Sequence, residues 1–221
     1  RADDFHSVQE ISMNLNTATV KSFFKGLIDL AIRMIVSPDD FFRTMPRTGG
    51  LLEPLLFVVL AAWLGVLLTA IESFVAHGAG ANDLGMLAGG LVIAPLIAAI
   101  LSFFVAGIFF AMWSFMGSNE SYETSYRCMA YMQVIVPVAI LLSFVPYLGL
   151  LGIAWWLYLM VTATRVVHKL PAKPALLVFG IIAVLSGMVY YSSVSSEIKA
   201  KERLQEYTRE LQKMPGKNSM G

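Results

Sequence analysis

From Cys128 to Thr164 the chain carries no charged side chain, a run of 37 residues. The run is broken once, at Val145-Pro146-Tyr147-Leu148-Gly149, and it closes on Arg165-Val166-Val167-His168-Lys169. Each arm has about the twenty apolar residues needed to cross the hydrocarbon core of a bilayer. Pro146 and Gly149 supply the turn. Charges stand at both open ends. The stretch therefore predicts a helical hairpin across a membrane, with its open ends on one side and its turn on the other.

The remaining apolar segments extend this reading. Spans are predicted at about Pro54–Phe74, Leu84–Met116, Tyr126–Ser143, Leu148–Thr164 and Pro174–Ser193. The second is unusual, with 33 consecutive uncharged residues. One helix of that length is about 50 Å long, against a core of about 30 Å. It must tilt strongly, kink at Pro95, or begin with an interfacial segment holding Gly85, Gly89 and Gly90. Pro137 removes a backbone hydrogen bond and should kink the third span. The whole chain is 57% hydrophobic and 14% charged, with a mean hydropathy of +0.69. Soluble domains average about a quarter charged residues. The fold class is therefore all-α, an integral membrane bundle of five transmembrane helices over residues 54–193. A cytosolic segment, 1–53, precedes it and an extramembrane helical tail, 194–221, follows it. No signal peptide is expected, since the first long apolar run begins only after Pro54.

Within the first segment, residues 18–36 have helical periodicity. Lys21, Lys25, Asp29 and Arg33 recur every fourth residue, and Phe23, Phe24, Ile28, Ala31 and Met34 fall on other sides. Such a helix can lie in the membrane interface or pack on the protein's own bundle. Ser37 and Pro38 should open a second short helix, serine as its cap and proline in its first turn. Gly49-Gly50 reads as a hinge.

Two stripes suggest packing. Ala94, Ala98, Ser102 and Ala106 fall every fourth residue, and small side chains at that spacing let helices approach closely in lipid. In the tail, Leu204, Tyr207 and Leu211 continue a 4-3-4-3 pattern, a heptad seam. The seam would pack on its own protein or support a homo-oligomer.

Orientation follows from Lys and Arg, which favour the cytoplasmic side. Residues 1–53, 117–127 and 165–173 carry ten of them, whereas the loops at 77–83 and 144–147 carry none. The N-terminus is expected inside and, after five spans, the C-terminus outside, although the tail holds six basic residues.

No ionisable residue sits centrally in any span, where a membrane enzyme or coupled transporter would place one. His6, His77 and His168 lie in separate segments, and the single cysteine, Cys128, cannot make a zinc site alone. No catalytic residue, metal or cofactor is expected. A net charge of +1 gives no reason to expect a nucleic-acid partner.

The most polar segment between two long spans is Glu120–Arg127. Glu123 and Arg127 stand at i,i+4, acid before base, and could pair as the third span begins. Tyr122 and Tyr126 share the same spacing on an adjacent strip. Aromatic and arginine side chains together are typical anchors of a partner surface. Tyr122, Glu123, Tyr126 and Arg127 are thus the candidate interaction surface. The alternative is that they cap the helix and anchor it at the headgroups.

The same segment carries a family resemblance. Ser121-Tyr-Glu-Thr-x-x-Arg127, the pair Ala130-Tyr131, Pro137, the Pro146-x-x-Gly149 turn, Trp155-Trp156 and Arg165-x-x-His168 resemble, in that order, the Yip1 domain family. Ser37-Pro-Asp-Asp-Phe-Phe-Arg-Thr-Met45 resembles the segment that family places before its first span. No Asp-Leu-Tyr-Gly-Pro-type motif of the eukaryotic members is present, which points to the bacterial branch and the cytoplasmic (inner) membrane. The resemblance implies a non-enzymatic scaffold or adaptor that contacts membrane lipids and binds protein partners on the cytoplasmic side. The competing expectation is a transporter or channel for a neutral or lipidic solute. A cavity lined by Gln133 and Thr162 and open to one side would favour it; a bundle packed shut would favour the scaffold.

Overall fold

A computed structural model describes residues 25–26, 28–78 and 83–213. Residues 18–24 of the expected amphipathic helix, the loop at 79–82 and residues 214–221 lie outside the described residues. Among those described there is helix and turn but no strand. Helical residues 28–36 (α1) lead into α2 (Pro38–Thr44), α3 (Leu52–His77), α4 (Asp83–Phe115) and α5 (Tyr122–Met132). Then come α6 (Ile135–Ser143), α7 (Leu150–Val166) and α8 (Ala172–Lys213).

Among the described residues, four segments are long and apolar enough to cross a membrane: Leu52–Val75, Gly85–Phe115, Tyr122–Ser143 and Ala172–Leu211. Helix α7 is apolar but has 17 residues. The third of these segments is α5 and α6 in line, with a break at Gln133-Val134. Pro137 explains it. Proline has no N–H for the carbonyl four residues back, and its ring crowds that carbonyl. The Gln133 carbonyl instead accepts from the Val136 N–H at 3.0 Å. Pro95, by contrast, lies inside an unbroken α4, so the long second segment is one helix.

The turn between α6 and α7 differs from expectation. Tyr147, not Gly149, takes the left-handed conformation, at φ 65°. Gly149 is helical, with φ −59°. It lies against the end of the Tyr190 side chain on α8, which would have to shift to admit a Cβ there. Ser37 does occupy the cap position of α2, but its side chain makes no capping hydrogen bond.

The core is aromatic and off-centre. Phe41 and Phe42 of α2 are 2% and 1% exposed, which makes α2 part of the core rather than a surface helix. Tyr131 sits edge-on to Phe41 and Phe57, with centroids 5.4 and 5.5 Å away. Trp113, Phe109 and Phe179 tie α4 to α8. The described part of the first helix packs on the bundle by one side only. Met34 is fully buried in the core, while Ile28, Ile32 and Val36 form an exposed apolar line.

The bundle has two distinct ends. At one, the segment before α3 meets the start of α5, and Ser118 meets His168 between α7 and α8. At the other, Ser143 donates to Glu72 at 3.4 Å, and the Tyr147 and Ser195 hydroxyls are 3.3 Å apart. Helix α8 runs from the first end past the second without interruption. The tail seam is the clearest departure from intramolecular packing. Leu204, Tyr207 and Leu211 are 66%, 60% and 49% exposed and touch no core.

Candidate functional site

The polar end is built around the first two turns of α5. Ser121 caps the helix, its hydroxyl accepting from the Thr124 N–H at 3.2 Å. The cap sets the register of the next residues, so Glu123 and Arg127 share one face and Tyr122 and Tyr126 another.

The acidic–basic face meets the segment before α3. Gly49 and Gly50 adopt φ 120° and 89°, a region that favours glycine. This bend brings both peptide groups of Gly50 to the helix. The Gly50 N–H donates to Glu123 Oε1 at 2.7 Å, and Arg127 Nη2 donates to the Gly50 carbonyl at 2.7 Å. Arg127 also lies 3.6 Å from Glu123 and 3.8 Å from Glu53. Arg47 pairs with Glu120, and Thr124 Oγ1 donates to the Arg47 carbonyl at 3.3 Å. Burying a guanidinium costs heavily unless carboxylates and acceptors surround it. Two carboxylates and a carbonyl do so here, although Nε and Nη1 make no hydrogen bond of good geometry.

The tyrosine face docks on α4. Tyr122 donates to the Phe103 carbonyl at 2.8 Å, and Tyr126 stacks on Phe103 with centroids 4.6 Å apart. The Tyr126 and Ser102 hydroxyls are 3.1 Å apart, and Ser102 Oγ also donates to the Ala99 carbonyl at 2.7 Å. The structure thus joins two features that looked separate. Ser102 belongs to the small-residue stripe, whose Ser102 and Ala106 are buried and whose Ala94 and Ala98 are half-buried.

An exposed interaction surface at 122–127 is not what this arrangement offers. Tyr126 and Arg127 are 0% and 1% exposed, and only Tyr122 and Glu123 reach partly to the outside. The four residues clamp α5 between α4 and the Gly49-Gly50 bend. Sequence reasoning missed Ser121 as the cap, Gly50 as the receptor of Arg127 and the Arg47–Glu120 pair. The glycine pair was the one signal that could have pointed to a tight backbone approach.

A second polar group lies at the same end. Trp113 Nε1 donates to Thr164 Oγ1 at 2.9 Å, and Thr164 donates to the Met160 carbonyl at 2.7 Å. His168 stacks on Trp113 with centroids 3.9 Å apart, and its Nδ1 is 2.7 Å from Ser118 Oγ. Burial, with the nearby Arg47 charge, pushes the His168 pKa down to about 4, so the ring is neutral near pH 7.

Deeper in the bundle, Gln133 and Ser102 are the polar walls of a cavity of about 220 Å³ between α3, α4 and α6. Thr162 on α7 is buried but is not among its walls. Gln133 and Thr162 therefore do not share this cavity, although the transporter expectation required it. Cys128 is fully buried in α5.

Long apolar helices with exposed hydrophobic faces, and charges held at the ends, define an integral membrane protein of the helical class. The family model of the Yip1 domain matches residues 32–194, and the chain belongs to the Yip1 domain family. No curated protein and no solved structure matches it. The match begins within α1 and ends within α8, and it contains the whole Arg127 clamp.

Proposed function

We propose that this protein is a non-enzymatic membrane scaffold of the Yip1 type. It crosses the bacterial inner membrane five times, with α7 as the fourth pass. Its clamped end faces the cytoplasm and its tail lies outside. Protein partners bind at the cytoplasmic end, and lipid is organised around the spans. The observation that carries this reading is the clamp itself. Arg127, Glu123, Glu53, Arg47 and Glu120 bind one another and the Gly50 backbone, so the charges of the site fix a shape. Odd passage is supported by α8, which starts at the clamped end and leaves the bundle at the Tyr147 end. The exposed tail seam supports a homo-oligomer.

The cavity at Gln133 favours transport of a neutral solute as the second reading. Extraction from native membranes into lipid nanodiscs, followed by cross-linking and stoichiometry of what co-purifies, separates the two. The scaffold reading expects a protein bound in fixed ratio at the clamped end. A protein free of partners whose liposomes pass a neutral solute, with flux lost in Gln133→Leu, would establish the transporter instead.

A further inference from the structure

Beside the clamp, the end of α2 and the α7–α8 junction enclose an open groove of about 640 Å³. Four of its walls are basic: Arg43, Arg47, Arg165 and Lys169. Among the described residues no carboxylate lines it. Arg47 is engaged with Glu120, and Arg43 meets Asp39 only at 3.4 Å on the surface. Arg165 and Lys169 are exposed and have no ion pair or hydrogen bond among the described residues. Two uncommitted cations thus face the same space as two partly committed ones. The remaining wall is apolar and includes Leu170 and Pro171.

The backbone holds this arrangement in place. Lys169 adopts φ 53°, a conformation that glycine takes without strain and lysine does not. The α7 end is closed around it by the His168 N–H to Ala163 carbonyl bond at 3.3 Å and the Leu170 N–H to Thr164 carbonyl bond at 3.1 Å. Arg165 is the first charge after the 37-residue uncharged run, which sets its guanidinium at the membrane boundary. Basic pockets at that depth attract anionic headgroups, and arginine forks match phosphate oxygens.

We infer that this groove binds the phosphate of an anionic phospholipid headgroup, with Arg165 and Lys169 as its principal contacts and Leu170 and Pro171 against the glycerol. The inference deepens the scaffold reading's lipid role and rests on its placing this end at the membrane surface. A soluble phosphate ester has the same charge chemistry but gains nothing from the apolar wall.

The test uses the purified full chain in detergent, titrated with dihexanoyl phosphatidylglycerol, dihexanoyl phosphatidylcholine and inorganic phosphate. Bound molecules are counted by native mass spectrometry. Phosphatidylglycerol should be retained about tenfold better than phosphatidylcholine. Arg165→Gln with Lys169→Gln should abolish the preference, and Arg165→Lys with Lys169→Arg should keep it. Arg165→Gln alone, at an exposed position, reports on the groove should the double variant fold poorly. Equal retention of both lipids, or a preference unchanged by the Gln variants, overturns the inference. Displacement of the lipid by millimolar inorganic phosphate overturns its lipid source. A protein that captures phosphatidylglycerol but no protein partner leaves the groove standing and removes the scaffold. The reverse result removes only the groove.

Discussion

Arg127 and Gly50 are 77 residues apart in sequence, yet Arg127 Nη2 donates to the Gly50 carbonyl at 2.7 Å. The guanidinium is 1% exposed, and the same glycine's N–H is held by Glu123. One peptide bend therefore fixes the N-terminal elements to α5.

Arg127→Gln should destabilise the protein by about 1–3 kcal/mol through loss of a charged hydrogen bond to a buried acceptor. Glu53 and Glu123 are partly exposed, so the carboxylates left behind can be hydrated and the cost stays below that of a fully buried broken pair. Gly49→Ala should act in the same direction, at about 1–2 kcal/mol, since its φ is 120° and a Cβ would lie 3.2 Å from Arg127 Nη2. Thermal unfolding in detergent reads both. An unchanged midpoint in both variants would mean that the clamp does not hold the fold.

Ser102 and Tyr126 should show coupling. Ser102→Ala and Tyr126→Phe should each cost about 1 kcal/mol. The double variant should cost little more than either alone, because both remove the same 3.1 Å contact. Strict additivity in the cycle would show that the two hydroxyls do not interact.

His168 gives a pH signature. Its folded pKa is lowered to about 4 from an ordinary 6.5, so above pH 6.5 both states are neutral and the residue has no pH effect. Below that, the unfolded state takes up a proton that the folded state refuses. Stability should fall between pH 6.5 and 4, by a total of roughly 3 kcal/mol, and level off below. His168→Phe keeps a ring on Trp113 and should flatten that window relative to wild type. Parallel pH profiles for the two proteins would contradict the assignment.

The tail should govern self-association. Leu204→Lys with Leu211→Lys alters two residues that touch no core, so the melting temperature should hold while the mass in detergent, by light scattering, falls to that of a monomer. A wild-type protein that is already monomeric would remove the seam's role.

Much of this architecture is written locally in the sequence. Uncharged runs mark the spans, and Pro137 marks the α5–α6 break because its effect falls on the carbonyl four residues back. What the sequence concealed is long-range. Arg127 looked like a surface anchor because its receptor is a backbone carbonyl, which no side-chain pattern reveals. Tyr126 and Ser102 sat in separate patterns until α4 and α5 were laid together. Gly149 was legible as a turn residue by type, yet it is helical and Tyr147 makes the turn.

Sidedness is the most direct test of the account, since scaffold, clamp and lipid groove all depend on where this end lies. In a Cys128→Ala background, single cysteines replace Asp40 on α2 and Glu202 on the tail, both exposed. An impermeant thiol reagent applied to intact cells should label Glu202→Cys and leave Asp40→Cys unlabelled until the membrane is opened. Labelling of both from the same side would contradict the five-pass arrangement.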